Sequence, residues 1–168
     1  MIRKDGGEIT LLGAGDAAQH KEILEQVGVV LDNAAGIPGI MKVTQVNGLM
    51  RGIYRNWDSE AFDGYLTRFH IPHSKKSRVG HLSRGTLVKL NIAIALSHGA
   101  KLLVLDEATN GLDALIRDEV IDVLMEFTRE EDRSVLISSH MIGDLEKICD
   151  YVAFLRAGEL TLCEEKDR

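Results

Sequence analysis

Short apolar runs alternate with amphipathic stretches over the last third of the chain. LLVLD at 102–106 and SVLISSH at 134–140 have the length and composition of buried strands, and LIRDEVIDVLMEFTREE between them has the spacing of an amphipathic helix. IGDLEKIC predicts another helix, and YVAFLRAGELTL predicts a β-hairpin with Ala157 and Gly158 at its tip. Apolar strands that alternate with helices predict a parallel sheet covered on both faces.

The start of the chain has weaker periodicity. GGEITLLGAG predicts one short strand-like run, HKEILEQ a short helical turn, and VGVVLD at 27–32 a buried strand. Residues 33–57 mix glycine and proline with helix-like apolar spacing, which predicts a loop followed by one helix. The resulting expectation is an α/β fold.

Helical patterns dominate the middle of the chain. EAFDGYLTRF predicts a helix that Asp58 or Ser59 caps. TLVKLNIAIALSHG predicts a longer, largely buried helix, with Ser83 as its N-cap and Gly99 in a left-handed conformation at its end. Residues 34–97 are therefore predicted to form a helical insert in the α/β domain.

Composition places the chain among globular proteins of one domain. Of its 168 residues, 45% are hydrophobic and 27% are charged. The net charge of −6 argues against a protein built mainly to grip nucleic-acid phosphates. No apolar run approaches the roughly 20 residues that span a bilayer. Cys149 and Cys163 form no CxxC pattern, which favours structural thiols in a reducing compartment.

Two adjacent carboxylates, Asp106 and Glu107, follow the apolar run LLVL. An acidic pair at the end of a buried strand is costly unless a cation or a reacting water meets it. Ligands of open parallel sheets bind at the carboxyl ends of the strands, where Asp106 could hold Mg²⁺ and Glu107 could orient or deprotonate a water. His140 ends the neighbouring predicted strand, at the same edge. The alternatives are an ordinary strand end with two solvated acids, and a histidine that only caps the strand or lies on the surface.

LSRGT at 82–86 opens the long predicted helix. A helix N-terminus offers free N–H groups to an anion, and Gly85 permits close approach to the backbone. Ser83 is a natural N-cap, so a plainly capped helix is the alternative.

Together, HLSRG, LLVLDEATNGLD and SSH resemble, in this order and spacing, the ATP-binding subunit of ABC transporters, of the bacterial exporter or antibiotic-immunity type. The resemblance implies a P-loop NTPase-like parallel sheet with a helical insert. It implies two catalytic residues, Glu107 and His140. The residues it implies for ATP contact are Ser83, Arg84, Gly85 and Asp113. The residues it implies for Mg²⁺ are Asp106 and Asp32, where Asp32 replaces the usual Q-loop glutamine.

The Walker A motif of this family, G-x-x-x-x-G-K-[ST], is absent, because the sequence contains no Gly-Lys dipeptide. GHLSRGT has a similar glycine spacing but threonine in place of lysine. We therefore expect the chain to begin partway through the family pattern, with residues 1–33 a remnant of the N-terminal core, 34–97 the helical signature region, and 98–168 the remaining core. Such a chain is expected to be inactive alone, and to self-associate through exposed core.

The resemblance also implies partners and a location. The partners are a second ATP-binding subunit and a membrane permease subunit, with no nucleic acid, and the location is the cytoplasmic face of the cell membrane. One alternative is a non-enzymatic module that docks on a permease through residues 34–97. Another is a different class of parallel-sheet ATPase, against which LSRG before the acidic strand argues.

Overall fold

The computed structural model describes residues 6–15, 21–31 and 36–166. Its strands are β1 (Thr10–Leu11), β2 (Ala14–Gly15), β3 (Val27–Leu31), β4 (Leu102–Asp106), β5 (Ser134–Ser138), β6 (Tyr151–Arg156) and β7 (Glu159–Glu165). Its α-helices are α1 (Lys21–Leu24), α2 (Val43–Ile53), α3 (Ser59–Arg68), α4 (Arg84–Ser97), α5 (Ala114–Phe127) and α6 (Ile142–Ile148). A 3₁₀ turn, Val79–His81, precedes α4.

The central sheet is parallel and has the order β3-β4-β5. In its register Val29, Val104 and Leu136 lie side by side, and so do Leu31, Asp106 and Ser138. The pairs β1-β2 and β6-β7 form separate antiparallel hairpins. The predicted α/β fold with a parallel sheet is therefore confirmed.

Local signals placed most helix ends correctly. Asp58 caps α3 by accepting from the Ala61 amide at 2.9 Å, and Ser83 caps α4. Gly99, just after α4, has φ 74°, which is the predicted left-handed conformation. These caps depend on a few neighbouring residues, so sequence is sufficient to predict them.

Two hairpins show how much a turn depends on positive φ. The predicted tip of the β6-β7 hairpin is confirmed, with φ 50° at Ala157 and 84° at Gly158. The single strand-like run predicted near the start is wrong, because Leu12 (φ 49°) and Gly13 (φ 79°) turn the chain back and divide the run into β1 and β2.

The helical middle of the chain packs on β3 through a close approach. A Cβ built on Gly28 of β3 would lie 2.7 Å from both Ala95 Cβ of α4 and Leu103 Cδ2 of β4. Only glycine permits this spacing, which presses α4 against the sheet. The core of α2, α3 and α4 continues from there, with Phe62 and Leu90 fully buried.

His98 closes the end of α4. Its ring is 2% exposed and stacks on Tyr54 at 4.2 Å between centroids, and its Nδ1 lies 3.1 Å from the Glu25 carbonyl oxygen. Because that oxygen can only accept, Nδ1 carries the hydrogen. Burial lowers the pKa of His98 below its ordinary value, so the imidazole is buried in its neutral form.

One face of the central sheet is open in the part of the chain that the structure describes, so the prediction of a sheet covered on both faces is wrong there. Val30, Leu103 and Leu105 on the helical side are each 1% exposed. The other face is much more accessible, with exposures of 43% for Val29, 45% for Leu31 and 62% for Leu136. Apolar composition indicates that both faces need cover, but it does not show where that cover comes from.

Beside this open face lies a groove of about 1090 Å³, bounded on its other side by the β6-β7 hairpin. Leu31, Leu136 and Phe154 contribute to its apolar walls, and Asp106, Glu107 and His140 lie at its rim. None of the helices in the described ranges has the length and apolar character needed to cross a bilayer.

Candidate functional site

The end of β4 is joined to the end of β5 by one serine hydroxyl. Asp106 and Ser138 are register partners, and Ser138 Oγ donates to Asp106 Oδ1 at 2.6 Å. Ser138 Oγ also accepts from the Glu107 amide at 3.1 Å, and that amide donates as well to the Ser138 carbonyl oxygen at 3.1 Å. The backbone at the acidic pair is therefore tied to the neighbouring strand.

Glu107 leaves the strand in a left-handed conformation, with φ 50°. This turn brings its carboxylate to His140, whose Nδ1–H donates to Glu107 Oε2 at 2.8 Å. The side chains are 37% and 61% exposed, so the pair faces open solvent. A carboxylate oriented by an imidazole at an accessible sheet edge can orient a water or accept its proton.

The two acids are accessible in this structure. Asp106 is exposed and Glu107 is partly exposed, so neither carries the desolvation cost of a buried carboxylate. Both carboxylates are therefore available to a ligand, and their roles stay a prediction.

The donor set suits a magnesium ion that arrives with phosphate. Asp106 and the Ser138 hydroxyl offer oxygen atoms, but the described residues contain no cluster of three or more histidine, cysteine or acidic side chains that could hold a metal. Mg²⁺ commonly uses one or two carboxylates together with phosphate oxygens and waters, so these residues fit a nucleotide-bound ion better than a metal cage. Asp32, the other expected ligand, lies outside the described residues.

The N-terminus of α4 holds three expected ligand-binding residues, and each has a contact within the chain. Ser83 Oγ accepts from the Thr86 amide at 3.2 Å. A Cβ on Gly85 would lie 2.8 Å from Ile116 Cδ1, so the absence of a side chain at this position permits close packing against α5. The Arg84 guanidinium lies against Gly111, where a Cβ would be 2.8 Å from Arg84 Nη1. A role toward a ligand stays a prediction for all three.

Asp113 begins α5, and its Oδ1 accepts from the Ile116 amide at 3.0 Å. The contacts of α4 with Gly111 and Ile116 place the two helix N-termini next to each other. The expected residues therefore form two clusters, one at the ends of β4 and β5 and one at the starts of α4 and α5.

Sequence reasoning missed the contacts by which two residues organise these clusters. The bridging role of Ser138 could have been found by aligning the ends of the two predicted strands, which places it beside Asp106. Arg117, whose Nη2 donates to the Leu112 carbonyl at 2.9 Å just before Asp113, has no comparable signal.

Comparisons with known proteins agree on one family. The ABC transporter family model matches residues 1–110. Bacitracin transport ATP-binding protein BcrA of Bacillus licheniformis is 30% identical over 166 residues, covering 95% of this chain and 52% of its own length. Lantibiotic transport ATP-binding protein SrtF of Streptococcus pyogenes is 34% identical over 102 residues, covering 61% of this chain and 44% of its own length.

A solved structure supports the same fold. The ATP-binding cassette MJ0796, described as dimeric and bound to ADP and Pi in a post-hydrolysis state, superposes with a TM-score of 0.79 at 17% identity. The match covers 96% of this chain and 74% of that one. The chain spans about half the length of the curated relatives it matches.

Proposed function

Because this chain belongs to the ABC transporter family, we propose that it supplies the catalytic carboxylate of a transport ATPase and works with a phosphate-binding segment outside its 168 residues. The observation that carries the proposal is the Glu107–His140 pair beside Asp106 at the end of β4. It provides a general base, its orienting group and a metal-binding oxygen at one accessible edge.

Each residue at this edge has a proposed role. Glu107 accepts a hydrogen bond from the attacking water, and His140 holds the carboxylate through Oε2. Asp106 offers a carboxylate oxygen to the Mg²⁺ that accompanies ATP, with Ser138 holding the other side of the carboxylate. The ion, when bound, offsets phosphate charge. Asp32 is proposed as a further magnesium contact.

The second cluster is proposed to act across a dimer. Ser83, Arg84, Gly85 and Asp113 of one copy would face ATP bound by the other. The helix dipole at the N-terminus of α4 supports this, since it attracts phosphate. The dimeric state described for MJ0796 supports it as a parallel from the same fold. In this arrangement 1–33 and 98–168 belong to the catalytic core and 34–97 to the signature region.

The open face of the sheet is the proposed seat of the missing phosphate-binding segment. It is apolar and ends at Asp106, and the groove beside it has room for a further element. The segment could belong to the same polypeptide or to another one. The greater length of BcrA and SrtF supports the first arrangement.

Transport of a peptide antibiotic or drug is the proposed process, with export through a membrane permease at the cytoplasmic face. The bacitracin transport and the lantibiotic transport for which BcrA and SrtF are named support this substrate class. A cavity of about 270 Å³ between α2 and α4, with Ile53 at its edge 51% exposed, is a proposed permease contact. Ile53→Asp should abolish co-purification with the permease, whereas retained co-purification would exclude this surface.

ATP hydrolysis tests the catalytic proposal. In a protein extended by a G-x-x-x-x-G-K-[ST] segment, Glu107→Gln should reduce the rate at least about 100-fold while ATP binding persists, because the base is lost and the neutral side chain keeps its shape. Asp118→Asn removes an exposed carboxylate of α5 as a matched control and should leave the rate unchanged. Equal rates for Glu107→Gln and wild type would overturn the assignment of Glu107.

Calorimetry tests the need for an outside segment. MgATP titrated into the 168-residue chain should show no micromolar binding, because the phosphate cradle is not in its sequence. Micromolar binding by this polypeptide would show that it holds the phosphates by itself and would remove that part of the proposal.

A further inference from the structure

One short segment, 140–144, contacts both ends of the loop that joins β4 to α5. At its first residue, His140 donates to Glu107, the residue that begins the loop. Four residues later, Asp144 Oδ2 lies 3.7 Å from Arg117 Nε, in the first turn of the helix that follows the loop. The loop is thus held at two points by one segment.

The Asp144–Arg117 pair is largely buried. The side chains are 6% and 21% exposed, respectively. Neither Asp144 Oδ2 nor Arg117 Nε has a hydrogen-bond partner among the described residues. A buried carboxylate oxygen without a hydrogen bond is costly, and the guanidinium charge beside it offsets part of that cost, together with the more distant Lys147 ammonium. The attraction therefore keeps Arg117 against α6.

The other end of the same guanidinium reaches the loop. Arg117 Nη2 donates to the Leu112 carbonyl oxygen at 2.9 Å. That carbonyl immediately precedes Asp113, which caps α5. A hydrogen bond from a charged donor is stronger than a neutral one, and the rigid planar guanidinium can serve the carboxylate and the carbonyl at once.

A second ion pair joins the same two helices without touching the loop. Lys147 Nζ lies 2.8 Å from Asp118 Oδ1, and the side chains are 56% and 58% exposed. This pair attaches α6 to α5 at the surface. Removing it therefore shows the effect of weaker helix attachment without the loss of a contact to the loop.

We propose that Arg117 is a positioning residue that transmits the placement of segment 140–144 to Leu112 and Asp113. The orientation of Asp113 then depends on the same segment that orients the Glu107 carboxylate. The functional meaning rests on the proposed dimer, in which Asp113 faces a second copy. The contact itself is independent of ATP and can be measured in the isolated chain.

Amide hydrogen exchange of the loop tests the proposal in the 168-residue chain. The Asn110 amide donates to the Glu107 carbonyl at 3.1 Å and the Leu112 amide to the Thr109 carbonyl at 3.3 Å, so both are protected reporters. Asp144→Asn and Arg117→Lys should raise their exchange rates about tenfold, the loss expected for one charged hydrogen bond. Exchange in β4 should be unchanged, and Asp118→Asn should change the loop less than about twofold.

A double variant distinguishes positioning from simple attachment of α6. Arg117→Met with Asp144→Leu leaves no unpaired charge in the interior, so it should fold even if Asp144→Asn does not. The exchange rates of the Asn110 and Leu112 amides should still rise about tenfold in this variant, because the Leu112 carbonyl oxygen has lost its hydrogen-bond donor. Wild-type exchange in this variant would overturn the proposal and leave the pair a packing contact.

A mutant cycle tests the transmission. His140→Ala should raise loop exchange less in the Asp144→Asn background than in wild type, since one of the two contacts is already lost. The matched cycle of His140→Ala with Asp118→Asn should be additive. Additive effects in both cycles would overturn the proposal. Failure of ATP hydrolysis in the extended protein would contradict the proposed function and leave this result unaffected.

Discussion

The left-handed backbone at Glu107 reverses the usual preference for alanine over glycine. Its φ is 50°, and the two hydrogen bonds of its amide to Ser138 hold it there. A residue with a Cβ in this region carries a cost of about 1–2 kcal/mol, which glycine avoids. Strain of this kind persists where the surrounding structure enforces it, and it is frequent at functional sites.

Comparing Glu107→Gly with Glu107→Ala isolates that strain. Both variants lose the carboxylate and its contact with His140. The difference between their free energies of unfolding therefore reports the backbone strain at position 107. Glycine removes about 1–2 kcal/mol of strain and costs about 0.4–1 kcal/mol through the freer unfolded chain. Glu107→Gly should therefore be more stable than Glu107→Ala by about 0.5–1 kcal/mol.

At Asp122 the same two replacements should give the opposite order of stability. This residue is exposed in the interior of α5, where backbone angles are helical. Asp122→Gly should be less stable than Asp122→Ala by about 1 kcal/mol. The comparison uses the same two replacements in the same chain, so only the local backbone differs.

Urea unfolding followed by circular dichroism measures all four variants. With a slope of about 2 kcal/mol per molar urea, the Glu107 pair should differ by about 0.3–0.5 M in midpoint. If the alanine variant is the more stable one at position 107, by the margin seen at Asp122, then Glu107 is not strained and the reasoning is refuted. The expected result shows that the candidate base is held at a cost in stability.

Three further predictions concern the framework around the site. Gly28→Ala should destabilise the fold by about 1–2 kcal/mol because its Cβ would be 2.7 Å from two neighbouring side-chain carbons, whereas Gly48→Ala, with no atom within 4 Å, should stabilise it; thermal unfolding of both checks this. Burial lowers the pKa of His98 from 6.5, so the unfolded chain protonates first and stability is lost as pH falls below 6.5; His98→Phe should show a flatter stability-versus-pH curve, and identical curves would contradict this. Ser138→Ala should cost about 1 kcal/mol in urea unfolding through its lost hydrogen bonds, and Ser134→Ala at the exposed start of the same strand should cost less; equal losses would remove the bridging role.

Much of the fold is visible in local patterns. The apolar runs of β3, β4 and β5, the caps Asp58 and Ser83, and the left-handed Gly99 each depend on a few adjacent residues. Propensity, capping and backbone sterics act over that same range, so they can be evaluated along the chain. The order of the motifs also indicated the family to which the chain belongs.

The candidate site was predictable in its residue types but not in its connections. Strand periodicity could place Asp106 and His140 at one edge, yet the hydroxyl bridge of Ser138 depends on the exact register of β4 against β5. The left-handed φ of Glu107 follows from hydrogen bonds to that neighbouring strand. A non-glycine residue carries no sequence signal for such a conformation.

By itself the sequence determined the succession of helices and strands from β3 onward, most of their ends, the acidic pair and the absence of a Gly-Lys dipeptide. The tertiary structure decided which face of the sheet is covered, that Gly85 is packed by Ile116, and that a buried Asp144 holds Arg117. The physical reason is range. Local signals act between residues a few positions apart, whereas burial, register and ion pairing depend on residues that meet only after the chain has folded.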